Sequence, residues 1–133
     1  MTDRALLDEA IRAAALAWAP YSGFHVGAAL LAASGKIYRG ANIENASYGV
    51  TVCAERTALW QAVLAGERQF AALAVAAVGQ DGNVTGAPPC GVCRQALSEF
   101  DDGSLRVLFG SPDDPTVCTL RELLPHSFGA AQL

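Results

Sequence analysis

Residues 71–78 form a nearly unbroken apolar run with a β-branched end, within a chain of 133 residues. A strand with this composition needs a helical layer on each face, because a solvent-exposed face would show alternating polar residues. Helical and extended patterns alternate along the rest of the chain, as they do in α/β proteins. The sequence therefore predicts an α/β fold, a three-layer α/β/α sandwich around a mixed sheet of roughly five strands.

Periodicity and turn residues predict the individual elements. The predicted helices cover residues 3–18, with Thr2 or Asp3 as the cap, and residues 53–65 and 91–100. Strands are predicted at residues 24–33, 36–42, 71–78, 105–109 and 117–120, with a loop at 80–89 and a turn at 112–115. The length and the lack of any linker-like or repeated stretch predict one domain, residues 1–133.

Composition and charge narrow the range of partners. The chain is 52% hydrophobic and 17% charged, and its formal net charge is −4. No stretch gathers several lysines or arginines, so we expect no nucleic-acid partner. No apolar run reaches the length of a bilayer span and the N-terminal stretch has no apolar signal region, so we expect no membrane partner and a cytoplasmic location.

The four cysteines indicate metal or catalytic chemistry, because cytosolic thiols are kept reduced. Cys90 and Cys93 form a CxxC spacing, which lets two sulfurs bind one ion from the first turn of a helix. Alone, this spacing also fits a redox pair, half of a structural zinc knuckle or two core thiols. Cys53 opens another predicted helix, whose positive end favours a thiolate. Three sulfurs would leave one position of a tetrahedral zinc open for water, as in catalytic sites.

A fourth ligand would change that interpretation. Cys118 could close the site into a structural one, which would make the chain a non-enzymatic zinc module. It lies in the short β-branched run 116–120, where a lone cysteine is usually a small buried hydrophobe, and we favour that interpretation. His25 and His126 are further ligand candidates, although each is isolated in the sequence.

Glu55 lies two residues after Cys53, close enough to accept a proton from a water at the metal. The pattern C-x-E followed by P-C-x-x-C is typical of zinc deaminases, with Cys in place of His, and it occurs here as Cys53-Ala54-Glu55 and Pro89-Cys90-Gly91-Val92-Cys93. The chain resembles the small homotetrameric cytidine deaminases. Four stretches carry the resemblance, residues 20–29, 40–48, 53–56 and 89–95.

The resemblance implies a hydrolase that converts free cytidine and deoxycytidine to uridine and deoxyuridine plus ammonia, in pyrimidine salvage. It implies one zinc ion per subunit, bound by Cys53, Cys90 and Cys93. The activated water would attack C4 of the base, while Glu55 protonates N3 and then the departing amine. Three thiolates leave the site with surplus negative charge, and Arg56 is expected to offset it through hydrogen bonds to ligand sulfurs.

The resemblance also implies the substrate-binding residues. Phe24 would pack on the base, Asn42 and Glu44 would hold ribose hydroxyls, and Ala54 would contribute to the same site. A further group, Ala46, Tyr48 and Phe128, would reach the site of a neighbouring subunit. The homotetramer would therefore share its active sites among subunits.

Two departures from the family pattern stand out. The loop at residues 80–87 is longer than the pattern predicts, and Ala130 takes a position where proline is common. The rival hypothesis within the same chemistry is a related zinc deaminase that acts on another aminated heterocycle. The acidic charge of the chain disfavours a nucleic-acid editor among these.

Overall fold

A computed structural model of the chain describes residues 1–133 and confirms the three-layer α/β/α arrangement around a mixed sheet. The helices are α1 (Asp3–Ala14), α2 (Ala54–Leu64), α3 (Gly91–Ser98) and α4 (Leu120–Leu123). The strands are β1 (His25–Ala32), β2 (Ile37–Ala41), β3 (Phe70–Val78), β4 (Val84–Thr85), β5 (Arg106–Ser111) and β6 (Asp114–Thr119). Short 3₁₀ turns cover Tyr48–Val50 and Ala130–Gln132.

The sheet has five strands in the order β2-β1-β3-β5-β6, and the two-residue β4 pairs with the end of β3 as a sixth. Only β3 and β5 run parallel, while the other neighbours pair in antiparallel fashion. A parallel pair needs a crossover, which here contains α3. None of the helices combines the length and the apolarity that crossing a membrane requires.

The central strand β3 is buried on both faces, as its apolar run predicts. Leu73 and Val75 belong to a core that includes residues of α2, α3 and α4. Ala72, Ala74 and Ala76 point to the opposite face and pack with α1. Successive side chains of a strand alternate between faces, so β3 contributes to both cores. Helices therefore cover each side of the sheet.

Two glycines let the helices approach the sheet closely. A side chain on Gly27 would overlap the backbone of α1 at Ala10, and one on Gly40 would overlap the backbone of α2 at Ala54. Neither glycine has a positive φ, so the requirement is for space. The contact at Gly40 sets the position of the start of α2, where the residues of the C-x-E motif lie.

Gly40→Ala is expected to lower the free energy of unfolding by about 2 kcal/mol, because the new methyl group forces α2 away from β2. Urea denaturation followed by circular dichroism measures the change. Gly49→Ala is the matched control, since nothing lies within 4 Å of a side chain there and its φ is not positive. Equal stability of the two variants would contradict the close approach of α2 to the sheet.

Several predicted boundaries are wrong. The first helix ends at Ala14, because Trp18 leaves the helical path and pairs with Ile43 as an isolated bridge. The predicted loop at 80–89 contains β4, whose Val84 pairs with Val78. The turn at 112–115 is shorter than predicted, since Pro115 lies within β6. The short helix α4 was not predicted.

Candidate metal centre and adjoining cavity

Cys53 and Cys90 occupy equivalent positions at the starts of two helices. Each is the N-cap residue, of α2 and α3 respectively, and neither side chain bonds to its own helix end. Cys93 lies in the first turn of α3 and is buried. The three Sγ atoms lie within 4.8 Å of one another, and those of Cys53 and Cys90 are 3.7 Å apart. Tetrahedral zinc with Zn–S bonds of about 2.3 Å separates its sulfurs by about 3.8 Å, so the donor set fits zinc.

The other ligand candidates do not join these sulfurs. Cys118 lies on β6, opposite Val107, and is absent from the cysteine cluster. It is half-buried, so the prediction of a buried core thiol is wrong. His25 begins β1 and His126 adopts a left-handed backbone with φ of 53°, and neither is part of the cluster. The structure therefore brings together three sulfurs and leaves the fourth tetrahedral position without a protein ligand.

Arg56 places a positive charge beside the cysteine cluster. Its Nη2 donates to Cys53 Sγ at 3.5 Å, and its buried Nε has no partner. A hydrogen bond from Cys93, aided by Arg56, lowers the pKa of the Cys53 thiol to about 5. The same contact raises the pKa of Cys93, because one proton is shared between the two sulfurs. Burial opposes ionisation of Arg56, but its contacts with both sulfurs raise its pKa.

Glu55 lies in the first turn of α2, directly after the N-cap cysteine and alanine, and is only 4% exposed. Burial raises the pKa of its carboxyl group, and the charge on Cys53 raises it further. A buried carboxyl group with a raised pKa is suited to accept and return protons near neutral pH. The raised pKa follows from the burial of Glu55, so it supports proton transfer by this residue independently of the C-x-E motif.

A cavity of about 230 Å³ adjoins the cysteine cluster. Three predicted substrate residues line it, Phe24, Asn42 and Ala54, together with Glu55 and two of the sulfurs. Sequence reasoning missed six lining residues, Val26, Thr51, Val52, Val75, Ala87 and Pro88. Thr51 and Val52 directly precede the first cysteine motif, and Ala87 and Pro88 directly precede the second. This position could have identified them. Val26 and Val75 carry no such signal, because only the pairing of β1 with β3 brings them there.

Asn42 is fixed by the start of β1. Its Oδ1 accepts from Val26 N at 2.8 Å, and its Nδ2 donates to Phe24 O at 2.8 Å. The side chain therefore holds the backbone that carries the aromatic ring of Phe24. Asn42 remains 9% exposed, and each of its polar atoms can form one further hydrogen bond.

Glu44 lies in an adjacent cleft and does not line the cavity at the cysteines. Its Oε1 accepts from the backbone nitrogens of Tyr21 and Ser22 at 2.9 and 3.1 Å. Thr51 lines both the cavity and the cleft, so the two are neighbours. A ligand that fills the cavity can extend toward Glu44 across Thr51.

The remaining predicted residues lie outside the cavity. Ala46 is exposed, and Tyr48 and Phe128 are 78% and 60% exposed. Tyr48 contacts Tyr21 edge to face, with 6.3 Å between ring centroids. Within one chain none of the three reaches the cysteine cluster, and their role at a neighbouring subunit stays a prediction.

Comparison with known proteins identifies the family. Residues 1–110 match the family described as the cytidine and deoxycytidylate deaminase zinc-binding region. The cytidine deaminase of Halalkalibacterium halodurans is 46% identical over 100% of this chain and 98% of its own length. That of Sporosarcina psychrophila is 48% identical over 96% of this chain and 92% of its own. A crystal structure of cytidine deaminase from Burkholderia pseudomallei, 44% identical, superposes with a TM-score of 0.87 over 96% of this chain and 100% of that one. The chain belongs to the cytidine and deoxycytidylate deaminase family.

Proposed function

We propose that the chain is a zinc-dependent enzyme that hydrolyses free cytidine and deoxycytidine to uridine and deoxyuridine, with release of ammonia. The observation that carries the proposal is the buried Glu55 close to three convergent sulfurs, in the lining of one cavity. A carboxyl group that transfers protons and a metal with an open coordination position are the groups with which zinc deaminases hydrolyse the exocyclic C–N bond of a base. The named relatives support the same activity.

Cys53, Cys90 and Cys93 would hold the zinc ion. Zinc in such a site supplies Lewis acidity that brings the pKa of a coordinated water close to neutrality. Glu55 would accept a proton from the attacking water and pass it to N3 of the base as the new C4–O bond forms. It would then take the remaining proton from the C4 hydroxyl group and deliver it to the exocyclic amine as the C4–N bond breaks, so that ammonia leaves and no redox change occurs.

Arg56 would tune this chemistry through charge. Three thiolates around a divalent ion leave a net charge of about −1, which weakens the ion as a Lewis acid. The hydrogen bond from Arg56 to Cys53 withdraws electron density from a ligand sulfur and compensates part of that charge. The guanidinium therefore supports activation of water without contacting the substrate.

The lining of the cavity and cleft favours a nucleoside over a nucleotide. Neither contains a lysine or an arginine, and Glu55 and Glu44 contribute two carboxyl groups. A phosphate would meet negative charge there without a compensating cation. Phe24 would pack on the base and Ala54 would line the same cavity. Asn42 and Glu44 would bind ribose hydroxyls, Glu44 as an acceptor and Asn42 as both donor and acceptor.

We also propose that the protein forms a homotetramer with shared active sites. It would be located in the cytoplasm and would act in pyrimidine salvage. Phe24 and Cys90 are exposed in a single chain, so one subunit leaves the cavity open. Ala46, Tyr48 and Phe128 are exposed side chains that a neighbour could bring to that opening. A second subunit would then exclude water from the reacting base.

A substrate panel tests the function. Purified protein is incubated with cytidine, deoxycytidine, cytosine, cytidine 5′-monophosphate and adenosine, and ammonia release is followed alongside zinc content. Cytidine and deoxycytidine are expected to react, with kcat/KM for the monophosphate at least about tenfold lower because of the carboxyl groups. Preference for the monophosphate would contradict the nucleoside assignment, and reaction of adenosine alone would favour a different aminated heterocycle.

A further inference from the structure

Arg94 binds two backbone carbonyls that belong to different parts of the chain. It lies one helical turn after Cys90 in α3, and helical side chains lean toward the N-terminus of their helix. Its Nε donates to Pro89 O at 2.7 Å. Its Nη1 donates to Leu123 O, also at 2.7 Å. The guanidinium is half-buried between these two acceptors.

The first acceptor lies directly before a predicted zinc ligand. The Cys90 side chain is exposed, and its only hydrogen-bonding neighbour is Cys53 Sγ. Packing therefore does little to fix the direction of the Cys90 sulfur, and its backbone must do so. Pro89 is fully buried and has a restricted φ, and Arg94 holds its carbonyl group. Groups behind a ligand orient it in this way in many metal sites.

The second acceptor lies directly before the C-terminal segment, residues 124–133. Leu123 ends α4, where backbone carbonyls lack partners within the helix and a cation is favourable. The neighbouring Gln95 donates from Nε2 to Phe128 O at 2.9 Å. Arg94 and Gln95 therefore hold the end of α4 and the C-terminal segment against the helix that Cys90 caps.

We propose that Arg94 is a positioning residue for the zinc site, which orients Cys90 through the Pro89 carbonyl and joins this loop to the C-terminal segment through the Leu123 carbonyl. The inference rests on the proposed zinc site. Zinc retention then depends on a side chain that contacts neither the metal nor the substrate. The forked guanidinium presents donors in two directions at once, whereas a lysine ammonium is a single point of contact.

The test compares Arg94→Met and Arg94→Lys with wild type in the zinc-loaded protein. We expect zinc transfer to a coloured chelator to be about tenfold faster in Arg94→Met, with a smaller increase in Arg94→Lys. After replacement of zinc by Co²⁺, the ligand-field bands of the Arg94→Met variant should shift, because the Cys90 sulfur changes direction. Limited proteolysis should also cut residues 124–133 faster in this variant.

Two controls separate this role from general stability. Arg68→Met removes an arginine that also donates to two backbone carbonyls, those of Val63 and Glu67, but lies away from the cysteines. It should leave zinc release and the Co²⁺ spectrum unchanged. Gln95→Ala should accelerate cleavage of the C-terminal segment and leave zinc release at the wild-type rate.

The outcomes distinguish this inference from the proposed function. If wild type holds no zinc, both fail. If wild type holds zinc and a folded Arg94→Met variant releases it at the same rate with the same Co²⁺ spectrum, the role of Arg94 is refuted and the zinc site stands. Should Arg94→Met not fold, Arg94→Lys decides, and wild-type zinc release there refutes the role. Unchanged proteolysis of Arg94→Met refutes the link to the C-terminal segment.

Discussion

Glu55→Gln is expected to fold and bind zinc while its kcat for cytidine falls by about 10³-fold or more. Glutamine has the size and shape of glutamate but cannot accept and return a proton at the reacting atoms. The side chain is 4% exposed, and bulk water cannot readily take its place. Steady-state kinetics together with zinc content per chain measure both parts of the expectation.

Glu67→Gln is the matched control for this loss. Glu67 is a glutamate that accepts side-chain hydrogen bonds from Ser34 and Tyr38, at 2.7 and 2.8 Å, but it lies outside the cavity. Its replacement should leave kcat unchanged. A zinc-loaded Glu55→Gln variant with wild-type activity would show that another group moves the protons.

In the metal-free protein, Glu55→Gln is also expected to change the stability of the fold. Burial raises the pKa of Glu55 above its unfolded value, so folding disfavours the ionised form. The contribution of this group to stability is therefore complete below the unfolded pKa and falls as the pH rises through the folded pKa. At pH 7 metal-free Glu55→Gln should melt at the temperature of metal-free wild type or above it, and a clearly lower melting temperature would contradict the pKa shift.

Cys90→Ser is expected to lose zinc and to reduce deamination to background. A serine hydroxyl at this position does not provide the thiolate that completes the three-sulfur set. Cys90 is the most exposed of the three cysteines, so a serine there should not disturb the core. Metal analysis after dialysis and the cytidine assay measure the two losses, while circular dichroism confirms the fold.

Cys118→Ser makes the same atomic change at the cysteine outside the cluster. Because Cys118 lies on β6 and contributes no sulfur to the site, this variant should keep its zinc and its activity. Loss of zinc from Cys118→Ser would mean that a fourth sulfur closes the site, as in a structural module. Retention of zinc in Cys90→Ser would remove Cys90 from the ligand set.

The elements with strong local patterns could be predicted from the sequence alone. The apolar run of β3 predicted its burial on both faces, and Gly66 predicted the end of α2 to within a residue or two. Pro115 favours a turn in the sequence, so the extent of β6 is underestimated, although an edge strand tolerates proline. The helix α4 has a local signal, a capping box between Thr119 and Glu122.

Features that depend on tertiary contacts were beyond sequence reasoning. Trp18 continues the helical periodicity of α1, but its backbone bonds to Asn42 and Glu44 instead. The cysteine cluster was predictable because motif spacing fixes two of its three members on one helix turn. Asn42 lines the cavity, whereas Glu44 lies in the next cleft. This difference follows from side-chain packing after β2, and the sequence pattern does not predict it.

Small residues at the contacts between helices and sheet restrict how a chain of this kind can diversify in evolution. Any enlargement at Gly40 displaces the start of α2, and with it the N-cap residue Cys53 and the first-turn residue Glu55, because a closely packed interior has no free volume to absorb it. Phe24, Ala87 and Pro88 lie on connecting segments at the edge of the cavity, where the backbone can adjust. Descendants of this chain should therefore acquire new substrate ranges through these connecting segments, while the helix-bearing sheet stays almost unchanged.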